Sequence, residues 1–282
     1  MNDFQRGDSI YRQATQLREE REFEKAVESY REALQILDPI VEAPLKVCIF
    51  YDMALAFDLN GKRDSAIESF NTAVDLFYEF EKQSSDEEAV SNMRGLVFQI
   101  EEHLKMLLEV AEDAEDYLSC IKARPWSRDD MPIGVYVDES DATGFDSKLA
   151  DLVWKAFTLW LYPGVKIGLS RKSFIKQASI VVRKVDDRIG PAAGQTLFND
   201  REDSDGRLWL TDVSISMFVP EKEFSKLSES QMEKFFSLAC HEAGHALGID
   251  GHSPYGGDLM YFKSPLVNPS VRDLKTLSLI YQ

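Results

Sequence analysis

Three of the four histidines in the 282-residue chain lie together in the sequence HEAGHALGIDGHS, which begins at His241. Because His241 and His245 are four residues apart, a helix would place them on one face as neighbours, where both can bind the same metal ion. Gly248 would let that helix end in a left-handed conformation and reverse the chain, which returns His252 toward the first two histidines. We therefore predict a zinc site with His241, His245 and His252 as its three protein ligands.

Glu242, the residue after the first histidine, completes an arrangement that could catalyse the hydrolysis of a peptide bond. Three neutral imidazoles leave the fourth coordination position of zinc to a water molecule and lower the pKa of that water toward neutrality. Glu242 can reach this water, accept its proton during attack on a peptide carbonyl, and pass the proton to the leaving amine. A chance H-E-x-x-H is expected only about 0.005 times in a chain of this composition, so two ordinary helix histidines are the weaker interpretation. Asp250 is the alternative third ligand, since a carboxylate also binds zinc.

The elements around the histidines indicate a layered α/β domain. A helix begins near the sequence SESQMEKFF, where Ser228 or Ser230 can cap it, and runs into the histidines. The sequence KLADLVWKAFTLWL (148–161) has the spacing of an amphipathic helix. Strands rich in β-branched and aromatic residues are predicted in PIGVYVDE (132–139), ASIVVRKVDD (178–187) and RLWLTDVSISMF (207–218).

The composition of the chain changes near the sequence KARPWSRDDMP. Residues 1–122 contain two of the ten prolines, three of the fifteen glycines and none of the four tryptophans. Pro125 and Pro132 prevent a helix from continuing through this segment. Apolar residues at three- and four-residue spacing make the N-terminal part nearly all helical. We therefore expect an α+β chain with a helical domain at 1–122, a linker at 123–131 and an α/β domain at 132–282.

Two stretches of the helical part resemble each other, REFEKAVESYREAL (21–34) and GKRDSAIESFNTAV (61–74). Both place a small, an aromatic and a small residue at the same spacing, namely Ala26, Tyr30 and Ala33 in the first and Ala66, Phe70 and Ala73 in the second. This spacing lets paired helices approach closely and resembles the tetratricopeptide repeat. The period is longer than in that family, and Asp38 stands where its proline would, with Pro39 one place later. The resemblance implies an array of helical hairpins that either offers a concave surface to a peptide or partner protein, or only covers the second domain.

The histidine region resembles the metzincin zinc peptidases, and within that clan the matrixins. Their pattern H-E-x-x-H-x-x-G-x-x-H precedes a turn that places a methionine below the metal. Here Met260 and Tyr261 follow His252 at the interval found in matrixins. The resemblance covers roughly residues 130–282 and implies a zinc endopeptidase in which Met260 is a structural floor and not a ligand.

The sequence departs from the metzincin pattern in three ways. Three residues rather than two separate Gly248 from His252, so the loop is longer by one residue. Phe262 occupies the place where some metzincins have a tyrosine near the metal, so no tyrosine ligand is implied. The inhibitory prodomain cysteine motif is also absent, because the sequence SCIKARP around Cys120 does not resemble it.

The acidic sequence FNDREDSDGRLWL (198–210) has two interpretations. Matrixin-like domains hold calcium in loops near this point, and hard oxygen ligands could come from Asp200, Glu202, Asp203 and Asp205. However, an EF-hand register would place Arg201 in its first position, and Asp205 followed by Gly206 is an ordinary turn signal. We therefore favour an acidic surface turn, with Ca²⁺ at most a stabilising ion.

Charge and composition exclude several partners. The net charge is −17, and residues 1–122 alone carry 13 Lys and Arg against 27 Asp and Glu. Such a surface repels phosphate backbones, so no nucleic-acid partner is expected. The sequence has no apolar run near the roughly 20 residues of a membrane span, and its N-terminus lacks the features of a secretory signal, so we expect a cytoplasmic protein without membrane contact. The three cysteines (Cys48, Cys120 and Cys240) form no pattern typical of disulfides or thiolate zinc sites.

Two classes of function are compatible with these features. The first is a zinc endopeptidase that acts on a protein or peptide substrate, with a helical domain that recruits or regulates. The alternative is a non-catalytic scaffold whose metzincin-like domain only holds a metal. The presence of Glu242 favours the enzyme.

Overall fold

The computed structural model describes residues 2–37, 42–109, 114–140, 144–162, 164–186, 193–219 and 224–282, apart from the side chains of Glu102, Met106 and Glu109. Contacts between Cα atoms divide the chain into two compact units. The first comprises Met1–Ala114 and Pro254–Gly257, and the second comprises Glu115–Ser253 and Asp258–Gln282. The chain therefore combines a helical unit with a mixed α/β unit, in agreement with the predicted α+β class.

The first unit is built from five described α-helices, as the apolar periodicity predicts. They are α1 (Asp3–Glu19), α2 (Phe23–Ile36), α3 (Ala43–Leu59), α4 (Arg63–Gln83) and α5 (Glu87–Glu109). Each helix packs against the next one along the chain, and α3 also contacts α1 and α5. This sequential packing is the arrangement expected of helical hairpins joined by short turns.

The two similar stretches of sequence occupy equivalent places in this unit. The small and aromatic residues that they share are all fully buried, in α2 as Ala26, Tyr30 and Ala33 and in α4 as Ala66, Phe70 and Ala73. The turns before these two helices also match, because Arg21 has φ +64° and Gly61, at the equivalent position, has φ +70°. The positions of Asp38 and Pro39, where the sequence departs from the repeat pattern, lie outside the described residues.

The second unit contains a five-stranded sheet with the order β3-β2-β4-β6-β5. Its strands are β2 (Ile133–Val137), β3 (Leu169–Arg171), β4 (Ile180–Val185), β5 (Gly194–Glu202) and β6 (Leu208–Phe218). All neighbours are parallel except β5, which runs antiparallel to β6 at one edge. The three predicted strands are confirmed as β2, β4 and β6. The sequence did not predict β3, which has only three residues, or β5, whose exposed residues are mostly polar.

Three helices accompany this sheet, namely α6 (Ser147–Thr158), α7 (Glu229–Ala246) and α8 (Val271–Ile280). Helix α7 packs against β5 and β6, while α6 packs against α7 and β2. Alternate residues of the strands point into this core, such as Ile180 and Val182 in β4. A second, two-stranded sheet pairs β1 (Lys122–Ala123) with β7 (Ile249–Asp250). Single 3₁₀ turns lie at Leu118–Cys120, Arg128–Asp130, Ile175–Gln177 and Phe224–Lys226. Within the described residues, no helix combines the length and the apolar character that crossing a membrane requires.

The segment expected to be a linker, 123–131, packs into the second unit. The division between the units falls between Ala114 and Glu115, earlier than the expected boundary at residue 122. Trp126 is 1% exposed, and its indole N–H donates a hydrogen bond to the carbonyl oxygen of Ala246 at 2.9 Å. An aromatic side chain of this size is buried with its polar atom satisfied, which is a property of a domain core and not of a linker.

The paired turns of the first unit lead to a prediction about stability. Arg21→Gly should raise the free energy of unfolding by about 0.5–1 kcal/mol, because glycine adopts positive φ without the steric cost that arginine bears. Gly61→Ala should lower it by about 1–2 kcal/mol at the equivalent turn. A Cβ atom at Gly61 would meet no other atom within 4 Å, so this variant isolates the backbone effect. Urea denaturation monitored by helical circular dichroism measures both. If Arg21→Gly is destabilising, the two turns are not equivalent.

Candidate metal centre

Helix α7 carries the first two histidines and begins where the sequence predicts. The Ser228 hydroxyl accepts a hydrogen bond from the backbone N–H of Gln231, and the Gln231 side chain accepts one from the backbone N–H of Ser228. This capping box satisfies two N–H groups that the first turn of a helix leaves unpaired. Of the two predicted capping residues, Ser228 is the one used. The helix continues through His241 and His245 to Ala246.

The chain reverses directly after α7, as Gly248 predicts. Gly248 has φ +112°, and a Cβ atom there would lie 2.6 Å from the carbonyl oxygen of Arg124, so a side chain is excluded by both conformation and space. Strand β7 follows and pairs with β1. Gly251 has φ +133° and turns the chain again before His252. Two glycines at positive φ thus accommodate the loop that is one residue longer than in the metzincin pattern.

The reversal brings His252 to the two histidines of α7. The candidate ligand atoms of His241, His245 and His252 all lie within 4.8 Å of one another, and this is the only such group of metal-binding side chains among the described residues. The Nε2 atoms of His241 and His245 are 3.1 Å apart. The ring of His252 lies 5.3 Å from that of His241 and 5.1 Å from that of His245, between centroids. The fourth histidine, His103, lies in the first unit, where its Nε2 is 3.2 Å from a carboxylate oxygen of Asp58.

Backbone carbonyl groups determine which nitrogen of each α7 histidine can bind a metal. The Nδ1 atom of His241 is 2.9 Å from the carbonyl oxygen of Leu259, and that of His245 is 2.7 Å from the carbonyl oxygen of Ile249. Since a carbonyl oxygen only accepts hydrogen bonds, Nδ1 carries the proton in both rings. A neutral ring in this tautomer has a free lone pair on Nε2, which is the form that coordinates zinc.

The two Nε2 lone pairs face each other, which favours a cation between them. Burial and the neighbouring His245 ring lower the pKa of His241 to about 4, and burial also lowers the pKa of His245. Both rings are therefore neutral at pH 7, and no proton is available to join the two nitrogens. Nitrogens bound at about 2.1 Å to a tetrahedral zinc ion lie about 3.4 Å apart, close to the 3.1 Å between these atoms. The donor set fits zinc.

Asp250, the alternative third ligand, is held by an arginine instead. The Nε atom of Arg124 donates a hydrogen bond to the Asp250 carboxylate at 2.6 Å, and the same guanidinium group forms an ion pair with Asp200. Arg124 directly follows β1, so these contacts also brace the loop that leads to His252. Asp250 does not belong to the group formed by the three histidines.

Met260 packs against α7 at Gly244. Its side chain is fully buried, and a Cβ atom at Gly244 would collide with the Met260 sulfur and the Trp160 ring. The Trp160 indole N–H donates to the carbonyl oxygen of Cys240 at 2.9 Å. The small residue at position 244, between the two helical histidines, therefore permits Met260 and Trp160 to pack directly against the helix.

A buried carboxylate that the sequence did not reveal holds the turn containing Met260. Asp273 accepts hydrogen bonds from the backbone N–H groups of Leu259 at 2.7 Å and Met260 at 3.3 Å, and from the Tyr117 hydroxyl at 2.6 Å. Burial raises the pKa of Asp273, and burial followed by the adjacent Asp273 charge raises the pKa of Tyr117. Because Leu259 also accepts the hydrogen bond from His241, Asp273 fixes the orientation of that imidazole through the backbone.

The Glu242 side chain faces the sheet, where a second unpredicted residue contacts it. Glu242 is 5% exposed, and burial raises its pKa. The Thr196 hydroxyl on β5 donates a hydrogen bond to Glu242 Oε2 at 2.6 Å. Because β5 was not recognised in the sequence, no pattern there associated Thr196 with the histidines.

The acidic stretch 198–210 forms the hairpin that joins β5 to β6. The Asp203 carboxylate accepts hydrogen bonds from the Trp209 indole N–H at 2.7 Å and from the backbone N–H groups of Arg207 and Asp205, and these bonds lower its pKa. Gly206 has φ +80°. Asp203 and Gly206 thus act as turn residues, and calcium binding at this hairpin stays a prediction.

Searches of protein-family models and of curated protein sequences found no match for the chain. The geometry around the three histidines is therefore the basis for inferring a function.

Zinc titration of single variants tests the assignment of the third ligand. His252→Ala should weaken zinc binding by more than about 100-fold, beyond the roughly 10–100-fold effect of changing a group that only supports a ligand. Asp250→Ala should weaken zinc binding by at most about 10–100-fold, because it removes such a supporting group. His103→Ala is the matched control and should leave the dissociation constant unchanged. Normal binding by His252→Ala together with loss of binding by Asp250→Ala would reverse the assignment.

Proposed function

We propose that this protein is a zinc-dependent endopeptidase whose second unit is a matrixin-like metzincin domain. The observation that carries the proposal is the convergence of His241, His245 and His252, with Glu242 next to His241 in the sequence, in a protein that otherwise has one histidine. Met260 below the helix and Gly248 at the chain reversal further support the metzincin resemblance. A site built only to store a metal would not need a buried carboxylate on the residue next to a ligand.

Different residues of this chain would bind the metal and transfer the proton. His241, His245 and His252 would hold the metal, and the carbonyl groups of Leu259 and Ile249 orient the first two rings. Zinc bound there supplies a water molecule of near-neutral pKa and a positive charge next to the substrate carbonyl. Glu242 would take the proton of the attacking water on its carboxylate and deliver it to the leaving amine.

The free edge of β5 supports a peptide as the substrate. One side of this strand pairs with β6, and among the described strands none pairs with its other side. An exposed strand edge offers N–H and C=O groups to which an extended peptide can add as a further strand. Because Thr196 of the same strand contacts Glu242, a peptide bound along this edge would pass close to the proposed base.

The first unit supports a role in recruitment. Its two matching hairpins, with buried small and aromatic residues, resemble tetratricopeptide repeats, which present a surface to peptides and partner proteins. We propose that this unit binds a protein substrate or a partner that brings one. A non-catalytic scaffold is the competing function, and hydrolysis by the zinc-loaded unchanged protein separates it from the enzyme.

Replacement of Glu242 tests the enzymatic proposal. Glu242→Ala should bind zinc as the unchanged protein does but hydrolyse casein or a peptide library at least about 100-fold more slowly, because the general base is lost. Glu233→Ala removes an exposed glutamate from the same helix and should keep full activity. Equal hydrolysis by Glu242→Ala would disprove the proposed base, and an inactive, zinc-loaded unchanged protein would favour the scaffold.

Shortening the chain tests recruitment. A protein that begins at Glu115 keeps β1 and Trp126, which belong to the second unit. Recruitment predicts that its kcat/KM for a protein substrate falls by about tenfold or more, since a second point of attachment is lost, while kcat/KM for a short peptide stays unchanged. The short peptide is thus the control for an intact active site. If both substrates are cleaved as before, recruitment is wrong, and if both are lost, the first unit serves stability.

A further inference from the structure

We propose that Thr196 is a positioning residue for Glu242, which holds one oxygen of the carboxylate so that the other faces the reacting water. This inference rests on the proposed function and assigns a role to a residue outside the histidine motif. The arrangement that supports it consists of Thr196 and Gly194 on β5 and the carboxylate of Glu242 on α7.

The contact between Thr196 and Glu242 is short and joins a half-buried hydroxyl to a buried carboxylate. The Thr196 Oγ1 to Glu242 Oε2 distance is 2.6 Å, in the range of hydrogen bonds from a hydroxyl to a charged carboxylate. Glu242 is 5% exposed, so little water competes for its oxygens. The hydroxyl has one hydrogen, and it is donated to Oε2.

Gly194 provides the space for the other oxygen. It lies two residues before Thr196, so both residues are on the same face of β5. A Cβ atom at Gly194 would lie 2.5 Å from Glu242 Oε1, closer than any van der Waals contact allows. The strand therefore contacts the carboxylate at two places. Thr196 donates a hydrogen bond to Oε2, and Gly194, which has no side chain, leaves room for Oε1.

The strand itself is held firmly at this point. Gly194 is paired with Met217 and Thr196 with Ile215 in the antiparallel ladder, and both partners on β6 are 1% exposed. Threonine is also branched at Cβ, which restricts rotation of its side chain. A hydroxyl on such a support keeps its direction, whereas the Glu242 side chain alone has three rotatable bonds.

The hydrogen bond from Thr196 to Oε2 determines which oxygen of Glu242 accepts the proton. With Oε2 engaged by Thr196, Oε1 is the oxygen that accepts the proton. The O–H bond of water breaks as its oxygen bonds to the carbonyl carbon, and the proton moves to Oε1. The same proton then passes to the nitrogen as the C–N bond breaks, which returns Glu242 to its ionised form. Thr196 donates its hydrogen bond throughout and transfers no proton.

Kinetic measurements on the zinc-loaded full-length protein test the role. Thr196→Val keeps the shape but removes the hydroxyl, and should lower kcat by about 10–100-fold, the factor associated with a hydrogen bond to a charged group, while KM stays within about twofold. Thr196→Ser retains the donor and should recover kcat to within about threefold. Gly194→Ala should lower kcat as well, since it displaces Oε1. Thr211→Val, at an exposed position of β6, is the matched control and should match the unchanged protein.

Two measurements that do not depend on turnover accompany the kinetics. The zinc dissociation constant of Thr196→Val should equal that of the unchanged protein, because no ligand is altered. The infrared carboxylate band of Glu242, identified by subtraction of the Glu242→Gln spectrum, should shift in Thr196→Val. It should stay in place in Thr196→Ser and Thr211→Val.

The outcomes distinguish this inference from the proposed function. A shifted band in Thr196→Val, with the zinc-loaded unchanged protein as inactive as Glu242→Ala, would support the positioning contact and contradict the endopeptidase. An unshifted band overturns the positioning role whatever the activity. Full kcat in Thr196→Val, when Glu242→Ala is inactive, also overturns it.

Discussion

Two imidazole nitrogens held face to face, with no proton between them, are the constraint on which the rest of the second unit depends. The Nε2 atoms of His241 and His245 are 3.1 Å apart, and both rings are turned toward each other by hydrogen bonds from Nδ1 to backbone carbonyls. Without a cation this arrangement brings two lone pairs together and is unfavourable. The surrounding structure must therefore hold the two rings in this arrangement, and the nearby elements supply the contacts that do so.

The two carbonyl groups belong to separate loops, and each loop has its own support. The Ile249 carbonyl lies in β7, which pairs with β1, and Arg124 next to β1 holds the Asp250 carboxylate. The Leu259 carbonyl lies in the turn whose N–H groups are bound by Asp273. Burying an ionised carboxylate costs several kcal/mol unless its oxygens are hydrogen-bonded. Asp273 accepts four hydrogen bonds, from the Tyr117 hydroxyl and from the backbone N–H groups of Leu259, Met260 and Ser270, and these offset that cost and make the turn specific.

Glycine positions complete the site because they permit close approach. Gly244 leaves room for Met260 and Trp160 beneath the helix, and Gly194 leaves room for the carboxylate of Glu242. Gly248 and Gly251 have positive φ and let the loop after α7 return His252 to the other histidines. Backbone conformations that other residues rarely adopt therefore bring the third histidine into the group.

The sequence by itself determined the local features of this protein. Helical periodicity, the Ser228 cap, the four-residue spacing of His241 and His245 and the reversal at Gly248 all depend on residues near one another in the chain, so local sequence was sufficient to predict them. Each of the three strands predicted from β-branched residues places buried side chains in the core, such as Val135, Val182 and Ile215, and this burial accounts for their apolar composition.

Only the tertiary structure decided which distant residues support the site. Thr196, Asp273 and Arg124 are polar residues without a distinctive pattern, and each is separated from its partner by 46, 14 and 126 positions, respectively. Strand β5 exposes alternate side chains at the edge of the sheet, so it lacks the apolar signal of a buried strand. Likewise, Trp126 could not be assigned to the second unit before its partner Ala246 was known. The physical reason is the same in each case: a hydrogen bond to a buried group depends on where the fold brings its partner, and local sequence does not encode that position.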